Sequence, residues 1–374
     1  MNKIAFVIGT QAELIKCVSL MLELKERKED YWFIHTGQHS LGRACENFQI
    51  KKPDYVLSEE PEKGTKLGSD KGMSSWKWYL SMIFKVRKTI RRIKPKYVVY
   101  HGDTISTGSA AVGSSWILNP FKKWKNVHLE SGLRSGSLSE PFPEEIVRQV
   151  ADRLSDILLA VSGLSARNLR KERWFFVWGK IFNVGNTILD SAMINYEKSK
   201  KESKGKLKKL KEEFALINLH RHENLKSPER MKRCVEIIKS INIKAIWPLH
   251  ENTRRILEKY GLMEELKKQE NLTLTPLESY EKFIFLLANC KYLIVDGGSI
   301  QEESLIFKKP CLLLRKKTER QEGLASGINF LTKLNVKYSR EIIRKIENNE
   351  IEIKNFENPY GKEGVSKRIL EILR

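Results

Sequence analysis

Residues 97–131, YVVYHGDTISTGSAAVGSSWILNPFKKWKNVHLES, decide how this chain is read. An apolar run leads into His101-Gly102-Asp103, and a second, NVHLES, carries Glu130 near its end. The segment between them predicts a helix from about 105 to 117. Strand, helix and strand in this order make the repeating unit of a parallel sheet. In an open sheet of this kind, ligands sit outside the carboxyl ends of the strands. Asp103 and Glu130 fall at two such ends, and Glu144 and Glu145 follow on the Pro-rich turn PFPEE. Carboxylates converging on one crevice suit proton transfer to and from carbon or oxygen. Taken singly, each is also accounted for as a loop charge or a helix N-cap.

Outward from this stretch the same grammar repeats. KIAFVI (3–8) reads as a buried strand, GTQAELIK as a turn, and ELIKCVSLMLELKER as a helix. YWFIHTG (31–37) is a strand, and SWKWYLSMIFKVRKTIRRI a helix with a basic face. On that helix Trp76, Trp78 and Tyr79 suit packing or a partner surface better than catalysis. PFPEE opens a helix running through IVRQVADRLSD, followed by the strand ILLAVS and a further strand and turn in WFFVWGKIFNVGNT (174–187). The Lys-rich run 198–213 is expected to begin the helix of a second unit. FALINLHRHEN, IKAIWPLHENTR, LTLTPLESYEKFIFLLANC and KYLIVDGGSIQEESLIFKKPCLLLR continue the alternation, and the last segment, KEGVSKRILEILR, is an amphipathic helix. The class is α/β with mostly parallel sheets.

Composition sets the frame. A chain of 374 residues is long enough for two or three domains. With 41% hydrophobic and 30% charged residues it reads as globular. No apolar run approaches the roughly 20 residues of a membrane span. The opening MNKIAFVIGT lacks the pattern of a signal peptide, so a cytoplasmic protein without membrane insertion is expected. Five scattered cysteines with no CxxC indicate neither a zinc site nor a disulfide framework, and each is expected to pack as a small apolar side chain. A net charge of +22 fits nucleic acid, an anionic membrane surface or a Lys-rich proteome. No nucleic-acid module is visible, which favours a phosphorylated substrate plus a basic surface over a nucleic-acid reader.

The second half carries a candidate anion site. VDGGSIQEE follows the strand YLIV and opens a helix, where Gly297 and Gly298 let a phosphate approach the backbone N–H groups. An ordinary strand–helix turn also uses glycine. Neither GxGxxG nor GxxxxGK[ST] is present, so a Rossmann NAD site and a P-loop are not supported. His220, Arg221 and His222 end another strand, and His220 is the best placed of them.

HGDTIST, HLESGLRSG, PFPEEIVRQ, VGNTILDS, HRHEN, VDGGSIQEES and KKTERQEG occur in this order. Together they resemble the non-hydrolysing UDP-N-acetylglucosamine 2-epimerases, and the resemblance runs from GTQAELIK to TERQEG. It implies two Rossmann-like domains of the glycosyltransferase-B type with a cleft between them. The first would be 1–190 with the C-terminal helix 360–374 crossing back, and the second, UDP-binding, 191–359. It implies that C2 of the sugar is deprotonated as UDP leaves C1, that a 2-acetamidoglucal forms, and that UDP returns with protonation on the other face. No cofactor or metal is implied. By resemblance Asp103, Glu130 and Glu144 are the proton-transfer candidates and His220 meets the diphosphate. Gly297, Gly298 and Ser299 would hold phosphate, Glu303 the ribose hydroxyls, and Lys16, Arg148 and Arg320 the substrate. A homodimer is the expected assembly, with polysaccharide or glycan synthesis as the setting.

The chain departs from the family pattern in its substrate contacts. GTRPE reads GTQAE, so Gln11 and Ala12 replace Arg and Pro; DSGG reads DGGS, with the hydroxyl at Ser299; TERPE reads TERQE, with Gln321. The acids persist. A modified UDP-N-acetyl sugar, hydrolytic release of free N-acetylmannosamine, acceptor-dependent glycosyl transfer and a non-enzymatic anion binder are the competing readings.

Overall fold

Five apolar residues buried along their whole length, Ile4–Ile8, make strand β1, and such a run belongs to the interior of a parallel sheet covered on both faces. The computed structural model describes residues 3–60, 75–136, 143–202, 212–353 and 356–374. Around β1 stand β2 (Trp32–His35), β3 (Tyr55–Val56), β4 (Tyr97–His101), β5 (Lys125–Ser131), β6 (Ile157–Ala160) and β7 (Lys180–Asn183). They form one sheet of order β3-β2-β1-β4-β5-β6-β7, parallel throughout. A second parallel sheet holds β8 (Phe214–Asn218), β9 (Lys244–Leu249), β10 (Leu272–Pro276), β11 (Tyr292–Val295), β12 (Cys311–Leu313) and β13 (Asn329–Leu331) in the order β10-β9-β8-β11-β12-β13. Both orders reverse direction once, at β1/β4 and at β8/β11, and the carboxyl ends at such a reversal are where open α/β sheets bind ligands.

Each sheet has its own compact unit: Met1–Ser191 with Pro359–Arg374, and Ala192–Asn358. The period-two alternation of the strands fills both faces. In the second unit Ile217, Trp247 and Ile294 pack with Met231, Val235 and Ile343 on one side, while Leu216, Leu293 and Val295 meet Phe283, Leu287 and Ile300 on the other. Each such side chain contributes about 1.5–3 kcal/mol on burial. In the first unit Trp78, Met82, Val86 and Ile90 of the helix Ser75–Ile93 are buried at helical spacing, whereas Trp76, Leu80 and Phe84 face outward.

The C-terminal helix Val365–Ile372 belongs to the first unit. Asp190 of VGNTILD accepts the N–H groups of Gly364 and Ser366, both at 2.7 Å, capping that helix. Asn186 donates to the Tyr360 carbonyl at 3.0 Å. Gly185, at φ +89°, lies so close that an added Cβ would stand 2.6 Å from the same oxygen.

The structure corrects several sequence expectations. WFFVW is not strand: 172–175 form a 3-10 turn, Phe176 takes φ +71°, and only KIFN pairs. A left-handed residue at 176 cannot sit in a strand ladder. The helix expected over 105–117 stops at Ser114, because Ser115 is extended. The start of the Lys-rich run, 198–202, is the end of the helix Ile188–Glu202 rather than the beginning of a new one, and residues 203–211 lie outside the described residues. Pro141 and Phe142 of PFPEE also lie outside them, and the helix there is Glu144–Arg153. All five cysteines are buried, as their apolar reading requires. Among the described residues no helix is long and apolar enough to cross a membrane.

Candidate active site

In the first unit the site is built from turns at the carboxyl ends of β1, β4 and β5. Thr10 caps the helix Gln11–Glu26, and Glu13 closes a capping box with it. Glu13 does more than cap. Its Oε2 accepts the amides of Gly9 and Thr10 at 2.7 and 2.8 Å, while Oε1 accepts the hydroxyls of Thr104 and Thr107 at 2.5 and 2.9 Å. The β1 and β4 turns are thereby tied to one carboxylate. Burial pushes the Glu13 carboxyl up, and these donors offset part of that.

One turn along the same helix, Lys16 pairs with Glu130, both buried. His101 Nε2 stands 3.6 Å from the same Glu130 oxygen. The β5 register shifts between Leu129 and Ser131, and Glu130 takes φ +63°. A non-glycine residue in that region costs about 1–3 kcal/mol and persists where surrounding contacts hold it. The bulge re-aims a side chain that the strand's alternation would place elsewhere.

Asp103 follows β4 and pairs with Arg148 Nη2, while Nη1 donates to Glu145 at 2.7 Å. Arg148 is fully buried and Asp103 partly exposed. Glu145 also accepts the Ser135 amide at 3.2 Å. Glu144 precedes it, half-buried in the first helical turn. Behind these groups His128 meets Asp152 at 2.7 Å and the Gly102 carbonyl at 2.8 Å. Asp152 also pairs with Arg134 at 2.7 Å, and Arg134 forks onto Glu172 at 2.7 and 2.6 Å. This chain of charges holds the backbone that carries Asp103 and Glu130.

In the second unit the site lies at the β8/β11 reversal. Asp296 accepts the amides of His220 and Arg221 at 3.0 Å each and the Asn224 side chain at 3.0 Å. It thereby fixes the loop after β8. His220 meets Asn218 at 2.9 Å and stacks on His250, ring centroids 4.6 Å apart. Burial, then His220, pulls His250 down to about 4, so it is neutral near pH 7.

Gly297, Gly298 and Ser299 open the helix Ser299–Ile306, whose first N–H groups suit an anion. Arg320 lies against Gly298, held by Glu302 at 2.9 Å and by Glu319. Glu303 is buried and accepts the Tyr280 hydroxyl at 2.7 Å. Burial, then Glu303, holds that hydroxyl well above its ordinary value, so it stays a donor.

Lys16, Asp103, Glu130, Glu144 and Arg148 thus gather in the first unit, and His220, Gly297, Gly298, Ser299, Glu303 and Arg320 in the second. Gln11 is exposed and donates to the Ser40 carbonyl at 3.3 Å. Glu13, Asp152 and Asp296 were not among the sequence candidates. The Thr10–Glu13 spacing is a readable capping-box signal; the contacts of Asp152 and Asp296 leave none.

A family model described as UDP-N-acetylglucosamine 2-epimerase matches residues 22–374. UDP-N-acetylglucosamine 2-epimerase of Methanocaldococcus jannaschii is 30% identical over 99% of this chain and 98% of its own length. UDP-2,3-diacetamido-2,3-dideoxy-D-glucuronate 2-epimerase of Pseudomonas aeruginosa is 32% identical over 88% of each chain, by either length. The crystal structure of the Methanocaldococcus jannaschii UDP-GlcNAc 2-epimerase in complex with UDP-GlcNAc and UDP matches with a TM-score of 0.84 at 29% identity, covering 99% of both chains. Two parallel-sheet α/β units of the glycosyltransferase-B type define the fold. The chain belongs to the UDP-N-acetylglucosamine 2-epimerase family, a class of isomerases.

Proposed function

We propose that the chain inverts C2 of a UDP-N-acetylhexosamine, converting UDP-N-acetylglucosamine to UDP-N-acetylmannosamine. A carboxylate of the first unit takes the C2 proton while the C1–O bond breaks and its electrons leave with the diphosphate of UDP. The 2-acetamidoglucal then receives UDP again at C1 and a proton at C2 on the opposite face. Proton and UDP are both returned, so no redox partner enters the balance. Asp103, Glu130 and Glu144 are the proposed acids and bases, with Lys16 and Arg148 positioning them and the sugar. His220, the Gly297-Gly298-Ser299 turn and Arg320 take the diphosphate, and Glu303 the ribose hydroxyls. Donors aimed at a departing oxyanion contribute about 3–4 kcal/mol each.

The observation that carries this reading is Glu130, a buried carboxylate turned out of its strand by a left-handed backbone and met by Lys16 and His101. The test is incubation with UDP-N-acetylglucosamine in D2O. Deuterium at C2 of recovered nucleotide sugar supports the proposal, and protium retained at C2 in every UDP-N-acetylhexosamine tried sinks it. Free N-acetylmannosamine as the product, or UDP release only with an acceptor, selects the hydrolytic or transferase alternatives.

A second reading, a modified UDP-N-acetyl sugar, is favoured by Gln11 in place of the family arginine and by the similarity to the diacetamido-glucuronate epimerase. Comparing kcat/KM for the two nucleotide sugars decides between them. We also propose a cytoplasmic homodimer. The outward Trp76, Leu80 and Phe84 of one helix supply an apolar face for it, and sedimentation of the Trp76→Lys variant tests it.

A further inference from the structure

We propose that the amino-terminal edge of the first sheet docks on an anionic lipid bilayer. All neighbours from β4 to β7 run parallel, so the segments entering β5 and β7 lie on one edge of that sheet. Asp103 and Glu130 lie at the opposite edge, roughly 15 Å away for strands of this length. The two entering segments are about 10 Å apart, with only β6 between them.

Both tips expose large apolar side chains. Before β7, Trp174 is 92% exposed, Phe176 65% and Trp178 69%. Before β5, Phe121 is 94% exposed, with Trp116 and Ile117 also outward. The tips are held rather than loose. Val177 is buried against Leu158, Ala166 and Leu169, the Arg134 fork holds Glu172, and buried Trp124 donates to the Ser114 carbonyl at 2.8 Å. Phe176, at φ +71°, and Trp178 both face outward, with the buried Val177 between them.

Charge supplies the complement. Arg170, Lys171, Arg173 and Lys180 are exposed around one tip, and Lys123 and Lys125 beside the other. The nearby acids are committed, Glu172 to Arg134 and Asp156 to Lys122. Tryptophan and phenylalanine at protruding tips, ringed by cations, match the interface of a bilayer with anionic headgroups. Single-stranded RNA also takes aromatic and basic groups, but along a groove with flat stacking faces. Here the groups stand on loop tips, and Ile117 has no face to stack.

The full-length chain is floated with phosphatidylcholine vesicles, and with vesicles containing phosphatidylglycerol as well, at low and high salt. It is expected to rise with the anionic vesicles alone, and less so at high salt. Trp174→Ser with Trp178→Ser, and separately Lys171→Glu with Arg173→Glu, are expected to weaken vesicle binding about tenfold or more, since each cation is worth about fivefold. Both double variants are expected to keep the wild-type Tm. The proposal is overturned if the wild-type chain rises with neither vesicle, or if both variants float as it does. It is overturned equally if the tryptophan variant changes the sedimenting mass without vesicles, or if the tryptophans bind an oligoribonucleotide and not the vesicles.

Discussion

A Cβ added at Gly298 would stand 2.7 Å from Nη1 of Arg320. The backbone at Gly298, φ −76°, suits any residue, so space alone requires glycine there. Arg320 has little room to retreat, because Glu302 and Glu319 hold it from two sides.

Gly298→Ala is therefore expected to displace the guanidinium at a cost of about 1–3 kcal/mol. On the proposed reading, KM for the nucleotide sugar rises by on the order of tenfold, with a smaller change in kcat. Steady-state kinetics beside a melting curve checks this; unchanged KM would remove Arg320 from the phosphate site.

Arg148 bridges the turn after β4 to the helix Glu144–Arg153. Truncating it leaves Asp103 and Glu145 facing each other without their shared cation. Arg148→Met is expected to lower stability by about 3–5 kcal/mol, the range for breaking a buried ion pair on one side. Arg148→Lys keeps the charge without the fork and falls between. Denaturant midpoints for the three proteins give the order, and a Met variant as stable as wild type contradicts the bridging role.

Asp152 sets a pH dependence. Burial alone would push its carboxyl up, but Arg134 and then His128 outweigh burial and hold it below the ordinary value of 3.8. A carboxyl depressed on folding contributes stability that is present above its unfolded value and lost as pH falls through the folded one. Asp152→Asn should therefore lower stability at neutral pH, and the gap from wild type should narrow as pH falls below about 4. Urea melts at pH 7, 4 and 3 measure the gap, and a constant difference at all three refutes the assignment.

The α/β class with parallel sheets was legible because β1, β4, β8 and β11 are continuous apolar runs between turn signals. The two- and three-residue strands β3 and β13 carry too little pattern to be seen. WFFVW misled because aromatic content favours strands, while Phe176's left-handed backbone leaves no mark in composition. The placement of Asp103 and Glu130 at strand ends was legible because they end strand-like runs. Whether Glu144 or Glu145 meets Arg148 was not, since three and four residues both place side chains on one helix face. The pairing of His128 with Asp152 joins residues 24 apart, and nothing local announces it.

Residues 359–374 give the first unit its final helix, yet the whole of the second unit, 192–358, comes before them in the chain. During synthesis, domains fold largely in the order they emerge. Here the second unit is contiguous and is translated whole before Gly364 and Ser366, whose amides Asp190 accepts. A ribosome pausing within 192–358 therefore holds a first unit with β1 to β7 made and the helix Val365–Ile372 still untranslated.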